Sequence, residues 1–186
     1  MVQQHERRET SYARRILELC GQTNIRSFHD SVHNLEYATD IVTDTDRVAV
    51  RVRPPRYLAF VNEFTIRVKA SKADPTTEYQ KFFQPDFPKN LWPTLFLYCF
   101  ADFQGKPQPW VLMDMNCLRA HERWGILDSA LLRKNVPVEG NPDNLMNVYS
   151  IPYLVRRCHD NPTDWTQRLF PYYSNGHPSF LQERRT

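Results

Sequence analysis

The chain has 186 residues, 41% of them hydrophobic and 24% charged, with a formal net charge of +3, proportions ordinary for a single globular domain with a real core. No run approaches the ~18 apolar residues of a membrane span, and the polar start MVQQHERRE lacks the apolar segment of a secretory signal, so a cytoplasmic protein with no membrane partner is expected. Fourteen prolines against five glycines predict stiff connections rather than floppy ones.

In chain order, TSYARRILELCG places Tyr12, Ile16, Leu19 and Cys20 on one helical face, with Thr10 or Ser11 as N-cap and Gly21 as terminator. NIRSFH (24–29) reads as a short strand, and LEYATDIVTD as a β-prone stretch containing Asp40 and running into the acidic turn Asp44 to Asp46. RVAVRVR (47–53) and FVNEFTIRVK (60–69) both alternate and are expected to pair as a hairpin across a proline-marked turn. In KADPTTEYQKFF, Asp74 is the expected N-cap, with Pro75 in the first helical position. WPTLFLYCFAD and PWVLMDMN read as a core hairpin whose first strand is buried on both faces. Asn116 is placed to cap a helix over CLRAHERW, and ILDSALLRKN reads as a further helical segment. From Val136 the periodicity fades, so a division into an α/β domain over 1–135 and an irregular proline- and aromatic-rich extension over 136–186 is expected.

The charge is unevenly spread. Residues 47 to 72 carry seven cations (Arg47, Arg51, Arg53, Arg56, Arg67, Lys69 and Lys72) against the single Glu63. Strand alternation puts Arg47, Arg51 and Arg53 on one face together with Ala49, and Arg67 and Lys69 on the same face as Glu63 and Thr65. Close like-charge pairs cost a few tenths to roughly 1 kcal/mol each unless an anion or carboxylate intervenes. Alternating arginines suit bidentate contacts to phosphate, and Tyr57 and Phe60 in the turn suit stacking on a base or ribose. The competing reading is a solvated face neutralised by the Asp44 to Asp46 turn or by Glu78.

Other chemistries find little support. Cys20, Cys99, Cys117 and Cys158 stand far apart with no CxxC pair, as expected of reduced, mostly buried thiols rather than zinc ligands. His29, His33, His121, His159 and His177 are expected at the surface. No GxGxxG, GxxxxGK[ST] or GxSxG is present.

The order helix, strand with Asp, strand with a cation, further strand, helix and buried strand pair resembles the restriction-endonuclease-like PD-(D/E)xK superfamily over roughly residues 8 to 120. That resemblance implies a mixed central sheet flanked by helices, and a Mg²⁺ ion held by carboxylates against a scissile phosphate while a lysine orients water. Its Asp falls on Asp40 in YATDIV, its second acidic position on Ala49, and its lysine on Arg51, which makes the motif degenerate. A migrated site would use Asp40 and Glu63 as metal ligands with Arg51 or Lys69 stabilising charge; Asp44 and Asp46 are further acids nearby, and the plainer role of Glu63 is to neutralise Arg51 or Arg67. VRVRP, EFTIR, TEY, YCFAD and WVLMDMNCLR also resemble proteins of phages and other mobile elements. The expected function is therefore binding of DNA or RNA with a degenerate or migrated phosphodiesterase site. The alternative is a non-catalytic module that docks on a host protein through the arginine face and the aromatics Tyr172, Tyr173 and Phe180.

Overall fold

The computed structural model describes residues 2–27, 39–69, 77–84, 88–101, 107–154 and 172–173. Helix α1 (Val2–Leu19) leads to the two-residue strands β1 (Arg26–Ser27) and β2 (Ile41–Val42), then to β3 (Arg47–Arg53), a 3₁₀ turn (Pro55–Phe60) and β4 (Glu63–Lys69). Helix α2 (Glu78–Phe83), β5 (Leu95–Ala101), β6 (Pro107–Asp114), α3 (Met115–Arg123), α4 (Ile126–Ser129), β7 (Leu131–Val138), β8 (Asn141–Ser150) and β9 (Tyr172–Tyr173) follow.

The strands form two sheets. The larger is six-stranded and mixed, in the order β1-β2-β3-β5-β6-β9, and the smaller is β4-β8-β7. Within the larger sheet β3 and β5 run parallel, with Val48 opposite Leu95, and the other pairings are antiparallel. The molecule is thus mixed α/β, built on a mixed sheet. Helix α1 covers one face, where Ala13, Ile16 and Leu17 pack on Val48, Leu97, Cys99 and Leu112. The opposite face carries Ala49, Phe96, Tyr98, Phe100, Val111 and Met113, which pack on Phe64, Ile66 and Tyr149 of the smaller sheet and on Phe82, Cys117 and Leu118 of the helices. Helices therefore lie on both faces of the central sheet, α1 on one and α2 and α3 on the other, where they share the face with the second sheet.

The alternation of β5 explains this layering. Leu95, Leu97 and Cys99 point to α1, and Phe96, Tyr98 and Phe100 to the second sheet, so a strand apolar on both faces is forced to the centre. The aromatic side runs as a ladder, with Phe82–Phe96 ring centres at 5.0 Å, Phe96–Tyr98 at 5.9 Å and Tyr98–Phe100 at 5.7 Å. The expected β5–β6 hairpin is present, with Leu97 opposite Leu112. Gly21, at φ +79°, ends α1 as expected.

Several sequence expectations are corrected. Strands β3 and β4 do not pair: β3 lies between β2 and β5, and β4 pairs with β8. Two successive prolines and a 3₁₀ turn stand where a tight hairpin turn would be needed, and they carry the chain from one sheet to the other. Helix α1 starts well before Thr10, so neither Thr10 nor Ser11 is its cap. Thr77 caps α2 in a capping box with Gln80; Asp74 and Pro75 lie outside the described residues. Asp114, not Asn116, caps α3, accepting from the N–H groups of Asn116 and Cys117 at 2.7 and 2.9 Å.

The largest correction is at the C-terminal side. LLRKN is strand rather than helix, and the break expected at 135/136 falls inside β7. Residues 136–150 are a β-hairpin: Val138 faces Asn141 across a turn in which Gly140 takes φ +77°. Pro137 and the left-handed Asn135 (φ +55°) interrupt the alternation of β7, and both are tolerated because β7 is an edge strand. No helix among the described residues is long and apolar enough to cross a membrane.

Candidate nucleic-acid interface

Because β3 faces the second sheet with Ala49, Arg51 and Arg53, its arginines lie between layers rather than on an open sheet face. Arg51 pairs with Glu78 from the first turn of α2, and the other Glu78 oxygen accepts the Arg67 backbone N–H at 2.9 Å. One carboxylate therefore neutralises the arginine of one sheet and holds the backbone of the other. Burial pushes the Arg51 pKa down, as do the charges of Arg53 and Arg67, while Tyr98 and Asp40 act in the opposite direction. An arginine keeps its proton at any useful pH, so this burial demands the counter-charge that Glu78 supplies. The Arg51 Nε is buried without a hydrogen-bond partner among the described residues.

Asp40 sits at the lip of β2, where its Oδ2 accepts the Val50 N–H at 2.6 Å and its own N–H donates to the Val48 carbonyl at 3.0 Å. It thus closes the ladder where the short β2 runs out. Glu63 lies on the other sheet, and its counter-ion is Arg133 of β7 rather than Arg51 or Arg67. Ala49 is 3% exposed in the core. The two carboxylates are held by separate partners, Asp40 by the Val50 amide of the larger sheet and Glu63 by Arg133 of the smaller one. Asp44 accepts from Thr23 and Asn24 at 2.8 Å, which holds its carboxyl below the usual range through the Asn24 bond first, then the Thr23 bond. Asp46 takes the Thr94 hydroxyl at 2.9 Å and the Gln22 amide at 3.1 Å. Both acids of the turn tie the loop after α1 to the start of β3 and β5.

Where β3 ends, the two sheets diverge around a cleft of about 130 Å³ lined by Phe100, Met146, Val148, Val136 and the hydroxyls of Thr65 and Tyr98. Those hydroxyls lie 3.3 Å apart. Burial raises the Tyr98 phenol pKa against the pull of Arg53, keeping the hydroxyl neutral. The rim is cationic and aromatic. The Arg53 guanidinium lies 4.1 Å over the Tyr57 ring, that of Arg56 5.3 Å from the same ring, and that of Arg133 5.4 Å over Phe60. Phe60 is 40% exposed, unusual for so large an apolar ring. Glu139 accepts from Arg56 at 3.2 Å and from the Tyr57 hydroxyl at 2.9 Å. Three rim cations meet two carboxylates, Glu63 and Glu139, a net of +1 (3 − 2).

Of the remaining cations, Lys69 is exposed at the end of β4, Arg47 and Arg67 are half-buried, and Lys72 lies outside the described residues. Arg133 and Glu139 escape sequence reading because their segment lacks clean alternation, although VEGN is itself a turn signal. Thr65 and Tyr98 read as core, and only the divergence of the sheets opens a space beside them. His121 is buried, contrary to the surface expectation, with Nδ1–H donating to the Cys117 carbonyl at 2.8 Å; His29, His33, His159 and His177 lie outside the described residues. Cys20, Cys99 and Cys117 are buried thiols, and Cys158 lies outside the described residues.

No family model matches the chain, and no curated protein matches it.

Proposed function

We propose that the protein binds nucleic acid through the rim of the inter-sheet cleft, with Arg53, Arg56 and Arg133 meeting phosphate and Tyr57 and Phe60 meeting a base or ribose. The observation that carries this reading is the layering of guanidinium groups over two aromatic rings at an open mouth, the combination that single-strand-binding surfaces use. Arg53 has a ring rather than a carboxylate as its neighbour, which leaves its N–H fork to face a phosphate.

The framework supports a likeness to the restriction-endonuclease-like superfamily. It runs α1, a strand entered through Asp40, a strand carrying Arg51, a further strand, a helix, and the buried β5–β6 pair. On this reading the ancestral acid and base positions have turned to structural work, Asp40 on the Val50 amide and Arg51 on Glu78, and the protein grips phosphate without cutting it.

The test is titration of labelled DNA and RNA against salt, followed by incubation with Mg²⁺ or EDTA. Affinity is expected to fall with salt by roughly 0.7 to 0.9 log units per decade for each phosphate contacted. Arg53→Ala is expected to weaken binding and flatten that slope by roughly one contact. Mg²⁺-dependent cleavage that disappears in Asp40→Ala would instead establish a migrated active site, and absence of binding would turn the search to a protein partner.

A further inference from the structure

The cleft behind the rim is shaped for more than a phosphate backbone. We infer that it receives one unstacked nucleobase, so that the protein takes single-stranded or flipped-out nucleic acid in preference to duplex. This rests on the reading of the rim as a nucleic-acid contact.

Three features carry the inference. At about 130 Å³ the space takes one flat ring and not a base pair. Its sides are apolar, from Phe100, Val136, Met146 and Val148, and suit the two faces of a ring. Its polar groups are few and convergent: the Thr65 and Tyr98 hydroxyls lie 3.3 Å apart, and the Glu63–Arg133 pair lies on the same lining. A hydroxyl both donates and accepts, a carboxylate accepts and a guanidinium donates, which is the mixed complement presented by the edge of a base. Thr65 and Tyr98 bond each other and Glu63 pairs with Arg133, so a base edge would be met by the hydrogen-bonding capacity these groups have left over. A base paired inside a duplex cannot enter, because its edge is occupied and its faces are stacked; it must first leave the helix. The rim places Tyr57 and Phe60 where neighbouring bases of a single strand would stack, and the arginines beside them where its phosphates would pass.

The test uses the full chain and one oligonucleotide containing 2-aminopurine, presented as a single strand and as a duplex at fixed salt. The single strand is expected to bind at least about tenfold tighter, and 2-aminopurine emission is expected to change on binding as the base moves from its neighbours into the cleft. Met146→Trp, a substitution at a half-buried position of the lining that fills the space, is expected to erase the preference. Thr65→Val keeps the side-chain shape but removes the hydroxyl that bonds Tyr98; with native folding checked by circular dichroism, it is expected to lower the single-strand affinity several-fold. Equal affinity for both forms, unchanged in both variants but weakened by Arg53→Ala, would overturn the base pocket and leave the rim reading standing. No binding of either form would overturn both.

Discussion

Glu78 takes two groups at once, the Arg51 guanidinium from the central sheet and the Arg67 N–H from the smaller one. Its side chain is 14% exposed and that of Arg51 35%, so the pair is only partly screened by water. Removing one partner of a buried pair costs about 3–5 kcal/mol; the exposure of Arg51 reduces that to roughly 2 kcal/mol for Glu78→Ala, measured by urea denaturation. The double change Arg51→Met with Glu78→Gln is expected to recover most of the loss, because no charge is then left without its partner. His121 makes a second residue-scale prediction. Burial holds its pKa below the ordinary 6.5, against the opposing effect of its bond to Cys117. The unfolded chain therefore takes up the proton first as pH falls, and the stability His121 contributes is full above about pH 6.5 and lost progressively below it. Comparing melting temperatures from about pH 8 down to about pH 5 should show a smaller decline for His121→Gln than for the parent protein.

At the scale of the element, caps and turns decide boundaries that periodicity leaves loose. Asp114 ends β6 and, in the same residue, accepts two N–H groups from the start of α3. Asp114→Ala is expected to cost about 1 kcal/mol in chemical denaturation, whereas Asn116→Ala, at an exposed position inside the helix, is expected to cost a few tenths. The two-sided apolar pattern of β5 was legible because it follows one period without interruption, and the face of α1 only in part: Tyr12, Ile16 and Cys20 are buried as expected, but Leu19 is 73% exposed and Ala13 and Leu17 fill the core instead. The β7–β8 hairpin was not: Pro137 and Asn135 break its alternation, and β7 buries too little to need a clean one. In the candidate site, Arg53, Tyr57 and Phe60 were legible as neighbours along the chain, while Arg133 arrives from a strand some 70 residues away.

For the whole molecule, the hairpin and the helical turn after it (151–154), which look like an appendage from sequence, complete the core. Val148, Tyr149, Ile151 and Leu154 are all at most 2% exposed, and Tyr149 stacks on Phe64 at 5.2 Å. Each such side chain contributes about 1.5–3 kcal/mol on burial, so losing the four removes on the order of the entire stability of a domain. A fragment ending at residue 135 is expected to show no cooperative thermal transition and no fixed near-ultraviolet circular dichroism, while the full chain shows both. A fragment that melts cooperatively would show that residues 1–135 fold alone. What the sequence by itself determined was local: most of the buried face of α1, the central place of β5 with its partner β6, and the concentration of cations around 47–69, each carried by the order of neighbouring side chains. The tertiary structure alone decided which sheet each strand joins, and therefore where that charge goes. Alternation assigns the two faces of a strand but not the strand that will sit beside it, so only the pairing of β3 with β5 and of β4 with β8 could place Arg51 against Glu78, leave Arg53 at a rim, and open a cleft where the two sheets part.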